Sequence, residues 1–244
     1  MVINSTELQN NFGKYLMLAA KEDIIITRNG TPIAKLTSTD SKNETTVMTV
    51  QEKLNEYSFD GKKASFEEFL NLTKESEERY EYIDGEIFLL ASPKTVHQVT
   101  LTELFVIFYN WFKGKKCTPL VAPYDIELKR SPDNKSIVQP DMMVICDLEE
   151  KLDDNDYYKG VPDLVVEILS ESTRRKDMIK KLDLYMSCGV KEYWIVNPLN
   201  NEISIYLFED KNISNNMTFK QNEAAHSYVF SGLSVELNSI FPNK

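Results

Sequence analysis

The sequence predicts an α/β protein, a mixed sheet flanked by helices, preceded by a small α+β module. Three observations lead there. Short β-branched runs such as "DLVVEIL" and "EYWIV" alternate with longer stretches of helical spacing. A polar stretch sets off the first 40 or so residues, which carry their own helix and hairpin signals. The 244 residues are 42% hydrophobic and 11% aromatic, enough for one large domain or two small ones and unlike a disordered chain.

In the opening stretch, Asn4 and Glu7 have capping-box spacing, and Leu8, Phe12, Tyr15, Leu16 and Ala19 follow at helical intervals. Ile24 to Thr27 form a β-branched run, and Asn29-Gly30 suits a two-residue hairpin turn into Ile33, Ala34, Lys35 and Leu36, with Pro32 beside the turn or on an edge. So short a unit needs a second copy or the rest of the chain to complete a core. Its polar candidates for phosphate contact are Asn10, Asn11, Lys14 and Arg28. The expected division is a module at 1–40, a linker at 41–63 and a larger domain at 64–244.

In that domain Ser65 with Glu68 opens a helix carrying Phe66, Phe69, Leu70 and Leu72, and Asp84-Gly85 turns between two extended segments. Thr95 to Lys113 is expected as a long helix capped by Thr95 with Gln98. Extended segments follow near 119–129, 141–146, 164–169 and 193–196. A helix from about Thr173 to Ser187 separates the last two, with Gly189 as its C-terminal cap.

Two carboxylates stand out. Asp141 follows Pro140 at the start of one buried strand, and Glu167 lies inside another, among apolar neighbours that rarely tolerate an unpaired charge. On adjacent strands they could converge on one divalent cation, with oxygen ligands suited to Mg2+ or Mn2+. The plainer alternative is a turn aspartate and a satisfied strand glutamate. Asp177, Lys181 and Tyr185 recur every four residues and so share one face of the following helix. Lys181 is thereby a candidate phosphate-facing ammonium, or else half of an ordinary helix ion pair. Arg174, Arg175, Lys176 and Lys180 are candidates for a local basic surface toward DNA, or a solvated face.

Taken in order, "YEYIDGEI", "SPKTVH", "QPDMMV", "PDLVVEILS", "STRRKDMIKKLDLY" and "CGVKEYWIVNP" resemble the Uma family of restriction-endonuclease-like proteins over residues 64 to about 210. The resemblance implies the Pro-Asp…Asp/Glu-x-Lys nuclease fold, with Leu169 at the usual lysine position and Lys181 as its replacement. It implies metal ligation by Asp141 and Glu167, a catalytic part for Lys181 and for an upstream acid, and supporting parts for Asp177, Tyr185 and His97. Glu81 best matches that upstream acid, with Asp84 and Glu86 close by. Glu171 stands where the family often has proline, and Asn197 where aspartate is frequent. Residues 1–40 resemble the N-terminal half of Phd/YefM-type antitoxins, which implies dimerisation and operator DNA binding.

A net charge of −10 excludes a protein that coats nucleic acid nonspecifically, so any DNA contact must be local. Cys117, Cys146 and Cys188 form no Cys-x-x-Cys pair, which disfavours structural zinc and points to a reducing cytoplasm. No apolar run reaches the roughly 18 residues of a membrane span. The expected function is a cytoplasmic, Mg2+-dependent DNA endonuclease fused to an antitoxin-like module, a homodimer or higher homo-oligomer with DNA as partner. The alternative is a noncatalytic DNA-binding regulator, or a toxin–antitoxin-like fusion, that uses the nuclease fold for interaction.

Overall fold

The computed structural model describes residues 1–19, 21–28, 30–37, 61–170 and 176–241. The chain divides into two compact units, 1–60 and 61–244. The expected turn residue Asn29, the Asn10 side chain, linker positions 41–60, and Glu171, Arg174 and Arg175 lie outside the described residues.

The first unit runs β1 (Val2–Asn4), α1 (Ser5–Asn10), α2 (Phe12–Ala19), β2 (Ile24–Arg28) and β3 (Thr31–Leu36). The Asn4 side chain caps α1 by accepting from the Glu7 amide at 2.7 Å, as the spacing predicts. The single helix expected here is two, separated at Asn11. β2 pairs parallel to β1 and antiparallel to β3. The core of the unit is small: Ile3, Tyr15, Ala19, Ile24 and Ile26.

The second unit holds two larger sheets. One has five strands in the order β4 (Lys62–Lys63), β6 (Glu86–Leu89), β5 (Tyr80–Ile83), β9 (Asn134–Val138) and β8 (Ile126–Ser131). Lys62 and Lys63, expected in the linker, thus form an edge strand against β6. Helix α3 (Phe66–Glu75) packs on this sheet through Phe66, Phe69 and Tyr82, and its Ser65–Glu68 capping box is present in both directions. The other sheet has six strands in the order β14 (Asn212–Lys220), β13 (Glu202–Glu209), β12 (Glu192–Asn197), β11 (Leu164–Ile168), β10 (Met142–Ile145) and β7 (Thr118–Val121). The stretch expected to be extended from 119 to 129 therefore divides between the two sheets.

Strand alternation separates the two faces of the six-stranded sheet. Met142, Val144, Leu164, Val166, Ile168, Trp194 and Val196 enter the main core. There they meet Leu101, Leu104, Phe108 and Phe112 of the long helix α4 (Thr95–Phe112) and the C-terminal Val235, Leu237 and Ile240. The cap of α4 differs from expectation: Lys94 is the N-cap residue and makes no side-chain cap bond, so Thr95 already lies within the helix. A short helix, α5 (Leu148–Lys151), follows β10. On the opposite face, between β11 and its parallel neighbour β12, the chain makes a π-helical turn (Lys176–Lys181) that continues as α6 (Leu182–Cys188). Gly189 ends α6 at φ 95°, as predicted, because a left-handed C-cap favours a residue without Cβ.

The Ile145–Thr118 register of β10 and β7 brings Cys146 beside Cys117, and the two are disulfide-bonded. The spacing by itself suggests reduced thiols; a pair 29 residues apart is recognisable only once the strands are aligned. Among the described residues no helix is long and apolar enough to cross a membrane.

The closing segment, β15 (Ala224–His226), β16 (Ser234–Glu236) and α7 (Leu237–Ile240), is tied down by Glu192. This fully buried carboxylate accepts from Trp194 Nε1, Ser227 Oγ, and the Tyr228 and Val229 amides. Glu192→Leu leaves these donors unpaired and should destabilise the protein by about 3–5 kcal/mol. Urea denaturation monitored by tryptophan fluorescence checks this, and a loss below about 1 kcal/mol would show that the anchor is dispensable.

Candidate active site

Glu167 occupies a strand position at which alternation turns its charge away from the main core. Leu164, Val166 and Ile168 face α4, while Glu167 faces the π-turn and α6. The antiparallel pair Met142–Val166 sets the register, so one step further Asp141 stands opposite Glu167. Asp141 Oδ2 accepts from the Ile168 amide at 2.7 Å and lies 3.2 Å from His97 Nε2. A bond to the backbone and a ring from α4 thus fix this carboxylate next to the Glu167 strand.

Glu81 comes from the other sheet. On β5 it points away from Tyr80 and Tyr82, is fully buried, and accepts from the Gln139 amide at 3.0 Å. Lys181 Nζ lies between the two glutamates, 2.8 Å from Glu81 Oε1 and 2.7 Å from Glu167 Oε1, with Asp177 Oδ1 at 3.7 Å. Tyr185 donates to the same Glu167 oxygen at 2.7 Å, and the Tyr193 hydroxyl donates to the Asp177 carbonyl. Lys176 Nζ reaches Glu81 Oε2 at 2.5 Å.

Glu81, His97, Asp141, Glu167, Asp177, Lys181 and Tyr185 therefore form one connected cluster. Of the three upstream acids, Glu81 is the one in contact with Lys181. Asp84 pairs instead with Arg130 at 3.0 Å, and Glu86 with Lys180 at 2.6 Å. Lys180 consequently stands apart from the cluster, half-buried over the Phe88 ring. Lys176, expected on a basic surface, turns inward to it, with its side chain largely covered. The π-turn accounts for this: an α-helix turns about 100° per residue, which would put positions 176 and 181 roughly 140° apart, whereas a turn built on i→i+5 bonds stacks them. The pair stands off helical periodicity, so only the Glu81 contact reveals it.

Burial would raise the Glu81 pKa, but the ammoniums of Lys181 and Lys176 outweigh it and hold the carboxyl at about 2. Burial would lower that of Lys181, and Glu167, Glu81 and Asp177 overcome this, so the ammonium stays charged. Glu167 moves the other way: burial raises it, Lys181 opposes, and the negative charges of Asp177, Asp141 and Glu81 add to the rise. The two glutamates share one lysine, and Glu167 is the one left short of positive charge. His97 also shifts upward, where its bond to Asp141 and that carboxylate's charge outweigh burial.

Residues 66–238 match the family model Uma2, described as "Putative restriction endonuclease". The chain belongs to the Uma2 family. Residues 1–53 match "Antitoxin Phd_YefM, type II toxin-antitoxin system". An uncharacterized protein of the cyanobacterium Synechocystis is 29% identical over 145 residues, 59% of this chain and 74% of its own. The crystal structure of a "putative nuclease belonging to DUF820" from Anabaena variabilis is similar at a TM-score of 0.57 and 17% identity, covering 70% of this chain and 96% of that one. The Uma2 unit thus has the fold of that structure, consistent with the restriction-endonuclease-like sheet expected from the sequence.

Lys181 holds two buried carboxylates, Glu81 and Glu167. Lys181→Met should therefore lower stability by about 3 kcal/mol in the absence of metal. Mn2+ should raise the melting temperature of the variant more than that of the parent, because a cation then replaces the missing charge. Calorimetric melting with and without Mn2+ checks this; equal melting temperatures for variant and parent in chelator would remove the structural part of the claim.

Proposed function

We propose that this Uma2-family chain hydrolyses phosphodiester bonds in DNA, using a divalent cation, Mg2+ or Mn2+, held by Asp141 and Glu167. The observation that carries the proposal is the convergence of Asp141, Glu167 and Lys181 at the ends of β10, β11 and the π-turn. The donor chemistry fits a hard cation. Both ligands are carboxylates, and four acids (Glu81, Asp141, Glu167 and Asp177) gather around the ammonium of Lys181, with Lys176 on Glu81 and His97 on Asp141. Among the described residues no three His, Cys, Asp or Glu side chains stand close enough to form a complete protein cage. That suits an ion that keeps water and takes substrate oxygens, as Mg2+ does, and does not suit structural zinc.

Bound there, the cation would polarise the scissile phosphate and acidify a water. Lys181, kept charged by its acidic neighbours, supplies an ammonium to orient that water or to meet the charge that develops on the phosphate. Tyr185 fixes the Glu167 carboxylate, while the Ile168 amide and His97 fix Asp141. Leu169, where a strand lysine would stand, is buried, and Lys181 approaches Glu167 from the helix side. Arg174, Arg175 and Lys180 are proposed DNA contacts.

Incubating the protein with supercoiled, linear and single-stranded DNA in Mg2+, Mn2+ or chelator tests the proposal. Cleavage should require metal, and Asp141→Asn and Glu167→Gln should each lower kcat by at least about 10²-fold. Intact DNA under every condition would reject hydrolysis and leave the noncatalytic regulator.

The N-terminal module is proposed to self-associate and to bind DNA locally, which the antitoxin match supports. Among its described residues five form a buried core, while Val2, Ile25 and Ile33 remain exposed. Asn11 bonds within α1, Lys14 lies over the Tyr15 ring, and Arg28 ends β2. Deleting residues 1–40 should reduce the oligomer measured by light scattering while the Uma2 unit keeps its circular dichroism. An unchanged oligomer would place the interface elsewhere.

A further inference from the structure

We propose that Lys176 is a positioning residue, which neutralises Glu81 so that Lys181 is free to leave it for the substrate phosphate. The inference rests on the hydrolase reading above and concerns how its lysine is released.

As the site stands, Lys181 is shared almost equally, at 2.7 Å from Glu167 and 2.8 Å from Glu81. Once Glu167 is given over to a divalent cation, Glu81 becomes the main competitor for the ammonium, with Asp177 farther away at 3.7 Å. A fully buried, ionised glutamate without another cation would hold Lys181, because separating a buried pair leaves an uncompensated charge. Lys176 removes that obligation. It takes the opposite oxygen, Oε2, at 2.5 Å, and the Gln139 amide already satisfies Oε1 at 3.0 Å.

Two features favour positioning over simple neutralisation of Glu81. One ammonium suffices to balance one carboxylate, yet Glu81 has two. The second arrives through the π-turn, which stacks residues five apart, with the Lys176 side chain 9% exposed and resting over the Phe88 ring at 5.5 Å. Fixing a long lysine side chain in this way costs rotamer entropy that a surface position would not. The neighbouring Lys180 reaches Glu86 instead, at 35% exposure, so the turn sorts adjacent lysines between site and rim.

The test uses the full chain and two readouts. The first is kcat and KM on supercoiled DNA in Mg2+ for Lys176→Met, Lys176→Arg, Glu81→Gln and the Lys176→Met/Glu81→Gln pair. Lys176→Met should lower kcat by about ten- to a hundredfold, short of the roughly 10²–10³ for losing a transition-state donor outright, with KM nearly unchanged. Lys176→Arg should retain most of the activity. In the Glu81→Gln background Lys176→Met should cost nothing further, since the carboxylate that Lys176 neutralises is gone.

The second readout is acetylation of Lys181 by an N-hydroxysuccinimide ester, followed by mass spectrometry with and without Mn2+. Mn2+ should increase labelling of Lys181 severalfold in the parent and not in Lys176→Met. Parent-like kcat in Lys176→Met, or an equal further loss in the Glu81→Gln background, overturns the proposal, the latter in favour of a structural role. If Lys176→Met does not fold, the double variant against Glu81→Gln decides on the same criterion. Parent protein that cuts no DNA but shows the labelling difference keeps the proposal and sinks the hydrolase reading. Labelling of the parent that ignores Mn2+ overturns the proposal whatever the activity.

Discussion

The ammonium of Lys181 between Glu81 and Glu167 is the interaction on which the second unit turns. Glu81 belongs to the five-stranded sheet, Glu167 to the six-stranded sheet and Lys181 to the helical crossover between β11 and β12, so one cation joins three elements. None of the three groups is more than 3% exposed. Burying such charges is costly, and well-packed apolar side chains commonly hold a seam at no loss of stability. The burial of these charges is thus a cost to folding, which supports the proposed chemistry. The same low-dielectric setting that makes them costly also makes each of them respond strongly to a nearby cation or phosphate.

Around that centre the protein separates mechanical and chemical tasks by strand face. The face of the six-stranded sheet toward α4 is apolar apart from the hydrogen-bonded Glu192, and it is closed by aromatic contacts such as Trp194 on Phe108, edge-on at 5.4 Å. The opposite face carries Glu167 and Tyr193 beneath the π-turn and α6. Away from the site the five-stranded sheet is tied to α6 by Arg130, which bonds Asp84 in the β5–β6 turn and both Asp183 and Ser187 of the helix. A rigid base of this kind is what a buried cluster needs, because a carboxylate displaced by an ångström no longer shares a cation. The π-turn then supplies what regular helix geometry would not, two lysines on one glutamate.

Much of this was legible in the sequence because it depends on local chemistry. The Asn4 cap, the Ser65–Glu68 capping box and the Gly189 helix end are set by residues within a few positions of one another. Asp141 and Glu167 could be picked out because an acid in an apolar run demands a partner, and Lys181 because it recurs with Asp177 and Tyr185 at four-residue intervals. Cys117 with Cys146 and the division of 119–129 between two sheets were not legible, and Glu81 stood out from Asp84 and Glu86 by family resemblance alone. Each is decided by strand register across long sequence separations.

The sequence by itself determined which residues carry charge into apolar surroundings and which local signals start and stop the helices, since both follow from side-chain type and spacing. Tertiary structure alone decided which charges meet. Lys176 and Lys180 are similar cations four residues apart, and the path of the π-turn sends one to the buried Glu81 and the other to the half-buried Glu86. Coulomb energy depends on distance and burial, and a linear sequence specifies neither until the two sheets have brought β5, β11 and the turn together.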